Sequence, residues 1–129
     1  LEVNCYILAC ERTKEGVILD PGDDADDILR ALEEDAIRVR EIVATHGHFD
    51  HIGRALEVQR ALDVPFAIHR EDLFLVEGLE DAAAFFGVQV GPPPEIGRLH
   101  TEGDEVRFVC SRRKIAGEIV VTPSRVLRL

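Results

Sequence analysis

A chain of 129 residues and 14.4 kDa has room for one domain. Hydrophobic residues at 46% and charged residues at 31% make a globular mixture and exclude a disordered or collagen-like chain. Acids outnumber bases 25 to 15 for a net charge of −10, which excludes the basic surface needed for non-specific attraction to nucleic acid or anionic membrane. The charge is uneven along the chain. Residues 1–110 carry a net −14 and residues 111–129 a net +4, so the expected division is a body over 1–110 and a basic, divergent tail over 111–129 that contributes no more than completing strands.

Taken in order, Val3–Ala9 is short, apolar and β-prone, Glu11–Gly16 is a polar turn, and Val17–Leu19 is a second strand closed by Asp20-Pro21-Gly22. Asp23–Asp35 starts with acids and continues with Leu29, Leu32 and Ala36 at helical spacing. Val39–Ala44 reads as a buried strand. Ile52–Leu62 is an amphipathic helix with Ile52, Ala55 and Leu56 on one face. Val64–Ile68 is a strand, and Arg70–Val76 and Leu79–Phe86 are helices, with Phe85 and Phe86 expected in the core. Gly87–Gly97, with three consecutive prolines, is expected to be a loop. Glu105–Val109 and Glu118–Val121 are strands. The alternation predicts an α/β sheet with helices packed on it.

Cys5, Cys10 and Cys110 form an odd set without C-x-x-C spacing. They are expected to be small buried hydrophobes in a reducing compartment, with the cytoplasm as the expected location. No run is long and apolar enough to suggest a membrane span.

Thr45-His46-Gly47-His48-Phe49-Asp50-His51 places three of five histidines within six residues, with a carboxylate among them. Imidazole and carboxylate suit zinc, iron and manganese. The run follows the strand Val39–Ala44 directly, at its carboxyl end, where sheet proteins place their sites. His46 and His48 can face one way and grip one ion, while Asp50 and His51 can reach a second. The spacing fits two adjacent metal sites better than one closed structural site.

The run closely resembles the T-H-x-H-x-D-H motif of the metallo-β-lactamase fold superfamily. With Asn4-Cys5-Tyr6-Ile7 on the opening strand and Leu19-Asp20-Pro21-Gly22 after the second, the chain looks most like the glyoxalase II (hydroxyacylglutathione hydrolase) branch. The resemblance implies an αββα sandwich, of which this chain holds mainly the N-terminal half. It implies that His46 and His48 bind a first metal and Asp50 and His51 a second, with two zinc ions per complete site and iron or manganese as alternatives. The implied reaction is cleavage of a small-molecule thioester such as a hydroxyacylglutathione by a metal-held hydroxide, with Asp50 orienting the nucleophile or relaying its proton. Asp20 reads either as a supporting acceptor for a metal-binding imidazole or as an ordinary turn aspartate.

The chain also departs from the family. The stretch nearest to the family's H-T-P-G-H is Val121-Thr122-Pro123-Ser124-Arg125. That puts Arg125, always cationic, where a histidine ligand belongs. No Asp follows Asp104 and no His follows His100. His69, at a strand end, is a candidate substitute ligand or a helix cap, and His100 is expected in a turn. The alternatives to a thioesterase are a catalytically incomplete fragment, with self-association through an uncovered sheet face, or another activity on the same fold, such as a sulfur dioxygenase, lactonase or nuclease.

Overall fold

The computed structural model describes residues 4–109 and 116–120. Cys110, most of the basic tail and the Val121–Arg125 stretch lie outside the described residues. The first sheet has five strands in the order β1 (Tyr6–Ala9), β2 (Glu15–Leu19), β3 (Arg38–Val43), β4 (Phe66–His69) and β5 (Ile96–His100). β1 runs antiparallel to β2, and the other neighbours pair in parallel. The sheet is therefore mixed, with four carboxyl ends along one edge. A second, two-stranded antiparallel sheet joins β6 (Glu105–Val109) and β7 (Ala116–Val120), and β6 lies against β2.

Both faces of the central strands are covered, which is why they read as near-continuous apolar runs. On one face Ile18, Ile42, Ala44, Phe66 and Ile68 pack in a core shared with the helices. On the other, Val17, Leu19, Val43 and Ala67 gather with Cys10. Side chains alternate between the two clusters along each strand, as a period of two requires. The helical layer places α1 (Ala25–Glu34) on the sheet through Ala25, Ile28 and Leu32. It continues with α2 (Phe49–Ile52), α3 (Ala55–Leu62), α4 (Leu73–Glu77) and α5 (Leu79–Phe85), with a 3₁₀ turn over Arg70–Asp72 before α4.

Three expectations change. The helix expected over Ile52–Leu62 is two: α2 begins at Phe49, and a break at Gly53-Arg54 separates it from α3. The break lets Arg54 N–H donate to the Pro21 carbonyl at 3.1 Å, tying the helix pair to the turn after β2. The second change is β5. The expected loop runs through Gly97 and the expected turn holds His100, whereas Ile96–His100 is an edge strand paired with β4, from Phe66 opposite Ile96 to His69 opposite His100, with a bulge at Gly97. Its signal is weak because only His100 of its five residues is buried and because Gly97 sits mid-strand, where a Cβ would meet the Pro65 ring at 2.7 Å. The third change concerns Phe85 and Phe86, which are 86% and 64% exposed and not core.

The proline-rich connector into β5 is anchored rather than loose. Gln59 on α3, itself buried, donates from Nε2 to the Glu95 carbonyl at 2.8 Å and accepts from the Glu95 N–H at 2.9 Å. Gly91 N–H adds a bond to the Gly53 carbonyl at 3.0 Å. One side-chain amide thus satisfies both backbone groups of the residue just before the strand. Gln59→Ala would leave that pair unsatisfied and is expected to cost about 2–3 kcal/mol. Urea unfolding midpoints of the two proteins measure it, and a loss below about 0.5 kcal/mol would show that the anchor is dispensable.

Candidate metal centre

The site is built on the carboxyl edge of the parallel strands. Asp20 follows β2 with φ of 55°, a left-handed conformation that Asp tolerates better than most residues. Its amide donates to the Val43 carbonyl at 3.0 Å, and its own carbonyl accepts from Gly22 N–H at 2.8 Å. Gly22 is required by contact: a Cβ there would lie 1.8 Å from the Asp50 carbonyl oxygen. The Asp-Pro-Gly turn therefore presses directly against the backbone of α2.

From that position the buried Asp20 carboxylate reaches across to the motif. Oδ1 accepts from Thr45 N–H at 2.7 Å, and Oδ2 accepts from Thr45 Oγ1 at 2.6 Å and from His51 Nδ1 at 3.0 Å. An ionised carboxylate only accepts, so His51 donates from Nδ1 and Nε2 is the nitrogen left to face a cation. The same logic extends to His46. Thr45 spends its one proton on Asp20, so the contact between Thr45 Oγ1 and His46 Nδ1 at 3.3 Å is donated by His46. His46 therefore also presents an Nε2 lone pair. Burial, and after it the nearby His51 and His48 rings, hold His46 below the usual imidazole range against the pull of Asp20 and Asp50. A neutral ring is the form that ligates a metal.

His46, Asp50 and His51 offer donor atoms that all lie within 4.8 Å of one another. The His46 and His51 rings are 3.7 Å apart, and His51 Nε2 stands 4.0 Å from Asp50 Oδ2. His46 thus stands beside Asp50 and His51 as well as beside His48. His48 is exposed at the start of α2, with its ring centroid 4.5 Å from that of His46 and perpendicular to it. The donor set, two imidazoles and a carboxylate with donor atoms close to one another, fits a borderline divalent cation such as zinc or iron.

Asp72 plays a part that the sequence reading did not single out. Fully buried at the end of the 3₁₀ turn, it accepts from Gly47 N–H at 3.3 Å and braces the motif turn from behind. Gly47 has no room for a side chain there, since a Cβ would come within 2.8 Å of Leu75 Cβ. A carboxylate three residues after an apolar strand was the available signal. His69 and His100 stand on the same sheet edge, opposite each other in register and buried. His69 Nδ1 accepts from Glu71 N–H at 3.1 Å, so it caps the 3₁₀ turn. The Nε2 atoms of both rings have no hydrogen-bond partner among the described residues, and neither joins the cluster of three donors. Cys5 sits near the same edge. Its thiol is pushed up to about 12 by burial and then by the Asp20 charge. No helix among the described residues is long and apolar enough to cross a membrane.

An α/β domain with a His-rich turn at the carboxyl edge of its sheet, supported by an aspartate from the preceding strand, defines a class of metal-binding folds. Family comparison makes the assignment: the profile of the metallo-beta-lactamase superfamily matches residues 1–127, and the chain belongs to that superfamily. It is similar to an uncharacterized protein of Aquifex aeolicus, with 38% identity over 109 residues, covering 83% of this chain and 50% of that protein. It is similar to the hydroxyacylglutathione hydrolase GloC of Haemophilus influenzae, with 31% identity over 86 residues, covering 66% of this chain and 40% of that one. Among solved structures, TTHA1623 in a di-iron-bound form superposes with a TM-score of 0.72 at 33% identity, over 80% of this chain and 51% of that one. The chain thus spans about half the length, or less, of the relatives it matches.

Two measurements test the electrostatics. Burial and then the Arg98 guanidinium hold His100 below the usual imidazole range, with Asp104 opposing and His69 adding to the effect. The unfolded chain then binds more protons than the folded one below pH of about 6.5, and stability falls as pH drops through that value. Urea midpoints at pH 7.5 and 5.5 are expected to show the loss, and His100→Leu to reduce it; an unchanged slope would remove His100 as its source. Cys5 is expected to alkylate with iodoacetamide at pH 8 at least about a hundredfold more slowly than a free thiol. Peptide mapping by mass spectrometry reads the rate.

Proposed function

We propose that the chain is the ligand-bearing part of a metal-dependent hydrolase of the glyoxalase II-like branch, acting on a thioester such as a hydroxyacylglutathione. The observation that carries this reading is the convergence of His46, Asp50 and His51 under tautomers set by one buried carboxylate. The hydroxyacylglutathione hydrolase named among the relatives supports the thioester as substrate class. Zinc is the proposed cation, and iron, as held by the di-iron-bound relative, is the alternative.

His46, Asp50 and His51 would hold the cation, with His48 swinging in from its exposed position as a further ligand. The cation, once bound, supplies Lewis acidity and a hydrolytic nucleophile near neutral pH. Asp50 is the proposed catalytic residue. Its side chain is less buried than that of His51 and lines two cavities, so one carboxylate oxygen remains available to hold and pass a proton. Asp20 and Thr45 act behind the ligands by fixing which nitrogen each ring presents.

Calorimetric titration with zinc, paired with a thiol-release assay on a hydroxyacylglutathione, tests the proposal. His46→Ala is expected to abolish zinc binding. Asp20→Asn is expected to weaken it by about 10- to 100-fold while the far-ultraviolet circular dichroism stays unchanged. Asp50→Ala is expected to abolish thiol release. Zinc binding indifferent to all three substitutions would overturn the proposal.

A further inference from the structure

Phe85 ends α5 and Phe86 follows it, and both are largely exposed. The two rings are 5.3 Å apart, and Phe86 also stacks 5.5 Å from Phe49, the residue between His48 and Asp50. Phe49, Leu75, Ala82 and Phe86 together wall a cavity of about 260 Å³ whose remaining lining includes His48 and Asp50. Asp50 is the one charged residue on it among the described residues.

A larger cavity of about 610 Å³ also reaches Phe49 and Asp50. Beside apolar residues such as Ile28 and Val90 it is bordered by Asp23, Asp24 and Asp27, with its Arg54 held by Glu57 at 2.8 Å. An apolar group entering the larger cavity meets those three further carboxylates, whereas in the smaller one Asp50 is the sole carboxylate among the described lining residues. Exposed apolar surface rimmed by polar groups marks binding grooves, and this one opens onto the proposed ligands.

We propose that the smaller cavity is a specificity pocket for the uncharged hydrocarbon arm of the substrate's acyl group, with Phe86 as its outer wall. This rests on reading His46, Asp50 and His51 as a cation centre. The carbonyl end of the acyl group lies toward His48 and Asp50 and its hydrocarbon end between Phe49, Leu75, Ala82 and Phe86. The pocket thereby ranks acyl groups by apolar length.

Straight-chain carboxylates from acetate to hexanoate are probes of this geometry, because each joins a cation-seeking end to a tail of stated length. They are titrated into the zinc-loaded chain and followed by amide chemical shifts. Affinity is expected to rise about two- to fourfold per added methylene, with the shifts centred on Phe49, Leu75, Ala82 and Phe86. F86S is expected to cut the increment below about 1.5-fold per methylene. F85S, equally a loss of an exposed phenylalanine but outside the cavity lining, is expected to leave the increment intact. A flat series in the unmodified chain, or increments that survive F86S, would overturn the pocket. Zinc affinity is measured first, before any carboxylate is added, so a failed metal centre is told apart from a failed pocket. F86S is expected to leave zinc affinity unchanged.

Discussion

The centre depends on a single buried carboxylate. Asp20 accepts from Thr45 N–H, Thr45 Oγ1 and His51 Nδ1, and through Thr45 it also dictates the proton position on His46. Unconstrained imidazoles sample two tautomers, and only one leaves Nε2 as the lone pair offered to a cation shared with the neighbouring ring and Asp50. An acceptor-only group behind both rings removes the choice.

That arrangement needs a backbone that brings residue 20 to residues 45–51, and the sheet supplies it. β2 and β3 are parallel neighbours, so their carboxyl ends open side by side, and the Asp20 N–H bond to Val43 carbonyl extends their ladder by one rung. The turn after β2 then packs against α2 without intervening side chains, because Gly22 carries none. Behind the motif, Asp72 and Leu75 close on Gly47. The His-rich turn is thus gripped from two sides, with its ligand face left free.

Much of this was legible in the chain itself. The His-x-His-x-Asp-His spacing, the preceding strand and the Asp-Pro-Gly turn are local signals, and the superfamily assignment follows from them. Relations between distant residues were less legible. Spacing alone does not show how near His46 comes to Asp50 and His51, and the bend into α2 is what brings their donor atoms within 4.8 Å of one another. Asp72 gains its role only because β4 pairs with β3, 25 positions from the amide it holds. β5 escaped because edge strands bury little and lack the alternation that betrays inner ones. Phe85 and Phe86 were misjudged for the opposite reason: helical spacing and hydrophobicity indicate burial, and only the fold shows that α5 turns them outward.

Phe49 and Asp50 line both cavities of the site, the smaller one walled by Leu75, Ala82 and Phe86 and the larger one bordered by Asp23, Asp24 and Asp27. A wall shared by two cavities couples their shapes. A substitution at either shared residue therefore remodels both cavities at once, whereas Phe86 and Asp27 each belong to one and can be changed singly.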